Sequence, residues 1–141
     1  MNTARRSFAT LEVGEDLGSV VHDVTPELVR DYAESTGDTH GWHTGGDSPF
    51  GEAVAHPALA TIFSTRLLVH SGYEHSSGGI HAKQEYEFLA PMRIGARVTT
   101  RGTVTEKYIR NGRNYIVYET RSVDELGVDL ARCVVTIIVP D

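Results

Sequence analysis

The segment 37–68 constrains the fold more than any other part of this sequence, because it joins two halves of opposite character. Its first half, 37–51, is a polar loop rich in glycine, histidine and aspartate. Its second half has the composition of a helix that is apolar nearly all round. Such a helix needs burial on nearly all sides. We therefore predict a central helix wrapped by the rest of the chain, with potential acids and bases at its N-terminal end. The apolar residues of this second half are Val54, Ala55, Ala58, Leu59, Ile62, Phe63, Leu67 and Leu68.

The composition limits the partners that are expected for the chain. Its 141 residues suit one domain, 1–141, and 40% of them are hydrophobic, as is usual for a folded globular protein. The net charge of −6 argues against nucleic acid and anionic membrane surfaces, which both attract basic proteins. No apolar run is long enough to cross a bilayer, and no signal-peptide pattern follows Arg5 and Arg6. A cytoplasmic location is therefore expected.

A helix is predicted immediately before the polar loop. Thr25 is a favourable N-cap residue, and Pro26 suits the first helical position. Glu27 adds a negative charge where the helix dipole favours one. Gly37 is the residue type that most often ends a helix, so we expect the helix to stop there.

The second half of the sequence has the two-residue alternation of β-strands. We predict strands over 80–89, 96–108, 114–123 and 130–139, and a polar turn over 72–79. Asn111-Gly112 indicates a tight hairpin between the second and third of these strands. The segment 11–21 fits either a short strand or an extended lead-in. Helices followed by a run of strands are typical of an α+β domain with an antiparallel sheet.

Several motifs resemble those of MaoC-like acyl-thioester enzymes, and the likeness extends over nearly the whole chain. The segment 32–35, with Gly37-Asp38 after it and His43 five residues beyond Asp38, is similar to the signature that carries the family's catalytic Asp and His. Ala-His-Pro at 55–57 stands where the family has Ala-His-Gly, and 88–95 is similar to its Phe-x-x-Pro-x-x-x-Gly segment. The resemblance implies the hot-dog fold, an antiparallel sheet wrapped around a central apolar helix, and a homodimer.

The same motifs also differ from the family pattern. His40 and Gly41 replace an Asn-Pro pair, and Pro57 replaces a glycine. The segment 47–51 is similar to a subgroup of hot-dog enzymes that add glycine to enoyl thioesters to form β-amino acids. The nucleophile is therefore open between water and an amine such as glycine.

The activity that the resemblance implies is addition of a nucleophile at the β carbon of an α,β-unsaturated acyl thioester, or the reverse dehydration. The acyl group would be carried by an acyl carrier protein or by CoA. Such a reaction needs a base for the nucleophile, an acid for the α carbon and donors for the enolate oxygen. Asp38, His43 and His56 are the candidate catalytic residues. Free backbone N–H groups near Gly51 to Ala55, at the expected start of the buried helix, are candidates for binding the carbonyl.

Each candidate also has a structural interpretation. Asp38 fits the cap of a turn, His43 fits a surface position in a loop, and His56 fits a hydrogen-bonded residue of the core. Trp42 and Phe50 would anchor the loop whether or not they also form a pocket wall. The candidate substrate-binding residues are His40, Trp42, Phe50, Gly51 and Ala55.

The same residues also bear on cofactors and on other functions. No histidine pair with a carboxylate partner falls at helical spacing, no cysteine cluster exists and no specific nucleotide motif occurs, so neither a metal nor a cofactor is expected. Two alternatives stay open from the sequence. One is an acyl thioesterase of the same fold, and the other is a non-catalytic acyl-binding subunit.

Overall fold

The computed structural model describes residues 6–45, 47–73 and 79–140. Five strands form one antiparallel sheet in the order β1-β3-β4-β5-β2. The turn predicted for 72–79 lies largely outside the described residues. The elements in chain order are β1 (Asp16–Asp23), α1 (Pro26–Thr36), a short 3-10 helix (Gly41–His43), α2 (Leu59–His70), β2 (Ile80–Phe88), β3 (Arg97–Arg110), β4 (Arg113–Val123) and β5 (Asp129–Val139).

The predicted α+β hot-dog architecture is confirmed. Helix α2 contacts β1, β3, β4 and β5, so the sheet curves around this helix. The four strands expected in the second half are present, and the segment that was open between strand and lead-in contributes β1 at one edge. The long β3–β4 hairpin turns at Asn111 and Gly112, whose φ angles of 50° and 70° are those of a type I′ turn.

Helix α1 begins and ends where its terminal residues predict. The Oγ1 atom of Thr25 accepts a hydrogen bond from the N–H of Leu28 at 3.1 Å. Gly37 adopts a left-handed φ of 69° and closes the helix with hydrogen bonds to the carbonyls of Ala33 and Glu34. The chain therefore leaves α1 in a fixed direction, with Asp38 as the next residue.

Helix α2 begins later than predicted, at Leu59 rather than near Val54. The reason is Pro57, because a residue that precedes proline is disfavoured in the helical conformation, and that residue is His56. The expectation of burial on nearly all sides is also wrong for the chain by itself. One face is buried, whereas Arg66, Val69 and His70 are exposed. Within the described ranges, no helix is long and apolar enough to span a membrane.

Close packing of α2 on the sheet depends on Gly102 in β3. A Cβ atom at this residue would lie 2.5 Å from Cδ2 of Leu67 and 3.2 Å from the carbonyl oxygen of Glu119. Leu67 is fully buried, so it has little room to move away. Next to this contact the hydroxyl groups of Ser64 and Thr120 form a buried hydrogen bond of 2.6 Å between α2 and β4.

Strand β2 forms the other edge of the sheet and, among the residues that the structure describes, pairs with β5 alone. Almost all of its residues are exposed in the single chain. Three large apolar side chains on it, Ile80, Tyr86 and Phe88, are between 37% and 48% exposed. An exposed edge strand with apolar side chains is a favourable surface for pairing with another chain.

Candidate active site

Asp38 and His43 come together where α1 ends and the 3-10 helix begins. The N–H of Asp38 donates to the carbonyl of Ala33 at 2.8 Å, which fixes the residue against the end of α1. The 3-10 helix turns the chain back so that Nε2 of His43 lies 2.6 Å from Oδ2 of Asp38. The side chains of Asp38 and His43 are 21% and 10% exposed, so the pair is close to the surface but sheltered.

The hydrogen bonds of His43 determine where its protons lie. Its Nδ1 is 2.7 Å from the carbonyl oxygen of Val54. A carbonyl oxygen only accepts hydrogen bonds, so Nδ1 must carry a proton and donate. The 2.6 Å contact between Nε2 and Asp38 then requires a further proton between these two atoms. The ring of His43 is therefore held at both nitrogens, by backbone on one side and by a carboxylate on the other.

The carboxylate of Asp38 is stabilised in its charged form. The N–H of His40 donates to Oδ1 at 3.0 Å, and this bond is the largest cause that lowers the pKa of Asp38 below its usual value of 3.8. The hydrogen bond from His43 is the second cause. Because its pKa is lowered, the carboxylate is the accepting partner of this contact. The pair thus places a carboxylate and an imidazole around one shared proton, an arrangement that can accept one proton and give one back.

His56 lies on the other side of the Asp38 carboxylate. Its Nδ1 accepts the N–H of Ala58 at 3.1 Å, so this nitrogen is unprotonated and the ring proton is on Nε2. Nε2 is 3.9 Å from Oδ2 of Asp38, too far for a hydrogen bond. The rings of Tyr32 and His43 flank the imidazole, with centroids 5.5 and 6.1 Å from it. The structure therefore brings all three candidate catalytic residues together.

An apolar cavity of about 330 Å³ opens beside His43. His43 is the one ionisable side chain among the described residues that line it. Trp42 and Phe50 form one wall, where their rings meet edge to face with centroids 5.7 Å apart. Asp38 and His56 do not line the cavity but adjoin His43, which does. The full lining is Trp42, His43, Phe50, Val54, Ala55, Pro57, Phe88, Leu89, Ala90, Pro91 and Met92.

Among the backbone donors expected near Gly51 to Ala55, the N–H groups of Gly51, Val54 and Ala55 are used by the protein itself. The N–H of Gly51 donates to Ser48 at 3.2 Å, and the N–H of Ala55 donates to Met92 at 2.8 Å. These hydrogen bonds form because the helix starts beyond Pro57, which leaves the segment extended and pairing with its neighbours. Ala55 still lines the cavity, whereas Gly51 does not.

The other predicted residues of the loop have structural roles as well. His40 caps the 3-10 helix, since its Nδ1 accepts the N–H of Trp42 at 3.3 Å, and it does not line the cavity. Trp42 and Phe50 are 36% and 48% exposed, so they pack on each other at the surface rather than in the core. Within 6–45, 47–73 and 79–140, no three His, Cys, Asp or Glu side chains are arranged to hold a metal ion.

Two parts of the site were not expected from the sequence. The carbonyl of Val54 orients His43. Every residue has such a carbonyl, so the amino-acid sequence does not indicate which one binds the histidine. The segment 88–92 forms the far wall of the cavity. The sequence signal that points to this wall is the likeness of 88–95 to the family's Phe-x-x-Pro-x-x-x-Gly segment.

Comparison with known proteins places this geometry in a family. The model of the FAS1-like dehydratase domain region matches residues 12–132. No curated protein sequence matches significantly. The chain is similar in structure to an unliganded (R)-hydratase from Pseudomonas aeruginosa, with a TM-score of 0.79 and 21% identity over 95% of this chain and 85% of that one.

Two further solved structures have the same fold. An (R)-hydratase from A. caviae involved in PHA biosynthesis has a TM-score of 0.76 and 22% identity, over 93% of this chain and 98% of that one. A MaoC-like dehydratase from Rhodospirillum rubrum has a TM-score of 0.77 and 23% identity, over 93% and 94%. At these identities the likeness establishes the fold alone, whereas the family model spans most of the sequence. The chain therefore belongs to the FAS1-like dehydratase-domain family, and it has the hot-dog fold.

Proposed function

We propose that this protein catalyses the reversible addition of a nucleophile to the β carbon of an α,β-unsaturated acyl thioester. The observation that carries the proposal is the 2.6 Å contact between Asp38 and His43 beside an apolar cavity. The pair supplies proton transfer, and the cavity suits the hydrocarbon part of an acyl chain. Membership of a dehydratase family agrees with the same chemistry in reverse.

The proposed reaction uses the Asp38–His43 pair twice. The pair removes a proton from the nucleophile as the nucleophile bonds to the β carbon. The electrons of the carbon–carbon double bond then move toward the thioester and form an enolate. A proton from the pair is delivered to the α carbon, and the thioester carbonyl re-forms. One proton enters and one leaves, so the pair returns to its starting state.

Water is the nucleophile that the cavity supports better. Glycine would bring a carboxylate, which arginine or lysine side chains usually bind. Among the described residues that line the cavity there is no arginine and no lysine. Arg93 lies nearby in sequence, but Asp124 and Glu125 are its ion-pair partners at 3.5 and 3.1 Å. The experiment below compares water with glycine as the nucleophile, and CoA with acyl carrier protein as the carrier of the acyl group.

The test is a mass-spectrometric assay of enoyl thioesters of increasing chain length, on CoA and on acyl carrier protein, with and without glycine. Asp38→Asn removes the ionised carboxylate while keeping its shape. Asp47→Asn is the matched control, because it lies on the same loop with a φ of 56° that asparagine tolerates. We expect a water adduct with the wild type and the control, and about 100- to 10,000-fold less with Asp38→Asn.

Each product pattern selects a different function. A glycine adduct in place of the water adduct would assign an amine as the nucleophile. Release of free thiol without any β adduct would identify a thioesterase and contradict the proposal. Binding of the acyl thioester without turnover would identify an acyl-binding subunit and would also contradict it.

A further inference from the structure

We propose that His56 donates the hydrogen bond that stabilises the enolate oxygen of the thioester. This inference rests on the proposed function and assigns a role that the Asp38–His43 pair does not fill. Stabilisation of developing negative charge on oxygen is usually the largest single contribution to reactions of this type. The donor must therefore be found near the pair, beside the cavity that receives the acyl chain.

The start of α2 does not supply that donor. The N–H groups of Leu59, Ala60 and Thr61 donate to carbonyls three residues earlier, at 3.0, 3.2 and 3.0 Å. The N–H of Ala58 donates to the ring of His56. Pro57 lines the cavity at this point, but its ring nitrogen has no hydrogen to donate. The first backbone groups of the helix are thus either occupied or absent.

The backbone just before the helix is used in the same way. The N–H of Val54 donates to the carbonyl of Trp42 at 2.9 Å, and that of Ala55 donates to Met92. On the side chains, Nδ1–H of His43 is committed to Val54 and Nε2–H is committed to Asp38. These contacts occupy the N–H groups of Val54 and Ala55 and both ring nitrogens of His43.

His56 is held with a donor available. The hydrogen bond from Ala58 to Nδ1 fixes the proton on Nε2 and fixes the orientation of the ring. Nε2–H has no acceptor among the described residues, since the nearest carboxylate oxygen, on Asp38, is 3.9 Å away. The side chain is 37% exposed, which leaves this N–H accessible to a ligand. A preoriented N–H with no partner costs no reorganisation when charge develops.

The position next to Asp38 fits the order of events. When the nucleophile loses its proton to the Asp38–His43 pair, the negative charge on the Asp38 carboxylate decreases while charge appears on the thioester oxygen. Nε2–H of His56 can then donate to the enolate oxygen without competition from the carboxylate. The neutral ring donates and keeps its proton, so no additional acid or base is needed for the reaction to balance.

Two substitutions separate this role from a structural one. His56→Asn can still accept the N–H of Ala58 but has no donor where Nε2 lies. His56→Gln carries an amide N–H close to the position of Nε2 but does not reproduce the Nδ1 acceptor. If His56 serves catalysis, His56→Asn should lower kcat about 100- to 1,000-fold with little change in KM, and His56→Gln should retain activity within about tenfold of wild type.

The opposite ranking would overturn the inference, because a merely structural histidine is better replaced by asparagine. Full activity of both variants would overturn it as well. Thermal unfolding of each variant identifies any loss that comes from misfolding, and His70→Ala at the other end of α2 is the matched control. If wild-type protein itself forms no adduct with any enoyl thioester, the proposed function fails and this inference fails with it. An active wild type with unaffected His56 variants contradicts this inference alone.

Discussion

The carboxylate of Asp38 is held by two donors from its own loop, the N–H of His40 and Nε2–H of His43. Both bonds close short loops, so the sequence from Gly37 onward preorganises the pair without help from distant parts of the chain. The imidazole of His43 is then fixed from the far side by Val54. The pair is therefore a single unit in which neither member keeps its position and protonation state alone.

Loss of either member should cost nearly as much as loss of both. Asp38→Asn and His43→Gln should each reduce kcat about 100- to 10,000-fold, because each removes one of the two groups that exchange the proton. The double variant should be no more than about tenfold worse than the poorer single one, since residues that act as one unit are not additive. Steady-state rates with one enoyl thioester measure this. A double variant whose loss equals the product of the two single losses would mean that they act independently.

His22 should make the folded state sensitive to mild acid. Its ring stacks on Phe63 at 4.3 Å, and its buried Nε2 has no hydrogen-bond partner. Burial lowers the pKa of His22 below 6.5, and the positive charges of Arg66 and His70 on α2 lower it further. The unfolded chain therefore takes up a proton near pH 6.5 that the folded chain resists, so His22 removes stability as the pH falls below that value.

The variant His22→Phe tests whether His22 lowers the stability of the folded state as the pH falls. It keeps a ring against Phe63 and has no titratable group. Urea midpoints of the variant relative to wild type should rise as the pH is lowered from 7 toward 5, because only wild type loses stability through this position. A difference in midpoint that stays constant across this range would contradict the assignment.

Gly102→Ala should destabilise the protein by about 1 to 3 kcal/mol, the usual cost of overpacking a well-filled core. The added methyl group would meet Cδ2 of Leu67 at 2.5 Å, and Leu67 is buried between the helix and the sheet. Gly79→Ala is the matched control, since the nearest atom to a Cβ there is 3.8 Å away. Denaturant unfolding of the two variants gives the comparison. Equal stabilities would mean that α2 shifts without cost.

The sequence predicted those features that single residues determine locally. Thr25 and Gly37 act on the helix ends through their own side chain and φ angle, and Asn111-Gly112 acts on one turn. Apolar periodicity by itself places the start of α2 near Val54, earlier than the observed start at Leu59. Pro57 disfavours the helical conformation at the residue before it. The helix therefore starts after the proline, although the hydrophobic pattern begins earlier.

The candidate site was predictable only in part, for a similar reason. Asp38 and His43 are close in sequence and lie on one loop, so their spacing already suggests a pair. The cavity wall at 88–92 is joined to the site by the hydrogen bond from the N–H of Ala55 to the carbonyl of Met92, a long-range contact without a local pattern. The carbonyl of Val54 belongs to the backbone, which is the same in every residue.

Phe50→Ala should weaken binding of long acyl chains more than of short ones. Phe50 is half-exposed and forms one wall of the cavity with Trp42, so its loss opens the end of the pocket without removing core packing. Loss of part of its apolar contact is worth about 1 kcal/mol, or roughly a fivefold rise in KM. Leu126→Ala, at a residue 70% exposed and outside the cavity, is the control. Equal effects on crotonyl and longer thioesters would contradict a role in chain-length selection.

A homodimer that pairs through β2 is our expectation for the assembly. The strand has an open edge and exposes Ile80, Tyr86 and Phe88. Sedimentation at micromolar concentration should give twice the chain mass of 15.4 kDa, and amide exchange in β2 should accelerate on dilution. A stable monomer, or β2 exchange that does not depend on concentration, would be evidence against pairing at this edge.

The hydrogen bond from Nδ1 of His43 to Val54 has a stereochemical consequence. With Nδ1 held by a carbonyl, His43 takes part in proton transfer only through its contact with Asp38. One proton-transfer pair must then serve both carbons of the double bond, and a planar enoyl group can turn only one face toward it. We therefore expect the nucleophile and the α hydrogen to arrive on the same face. The addition would be syn, and the β-substituted product would form as one enantiomer.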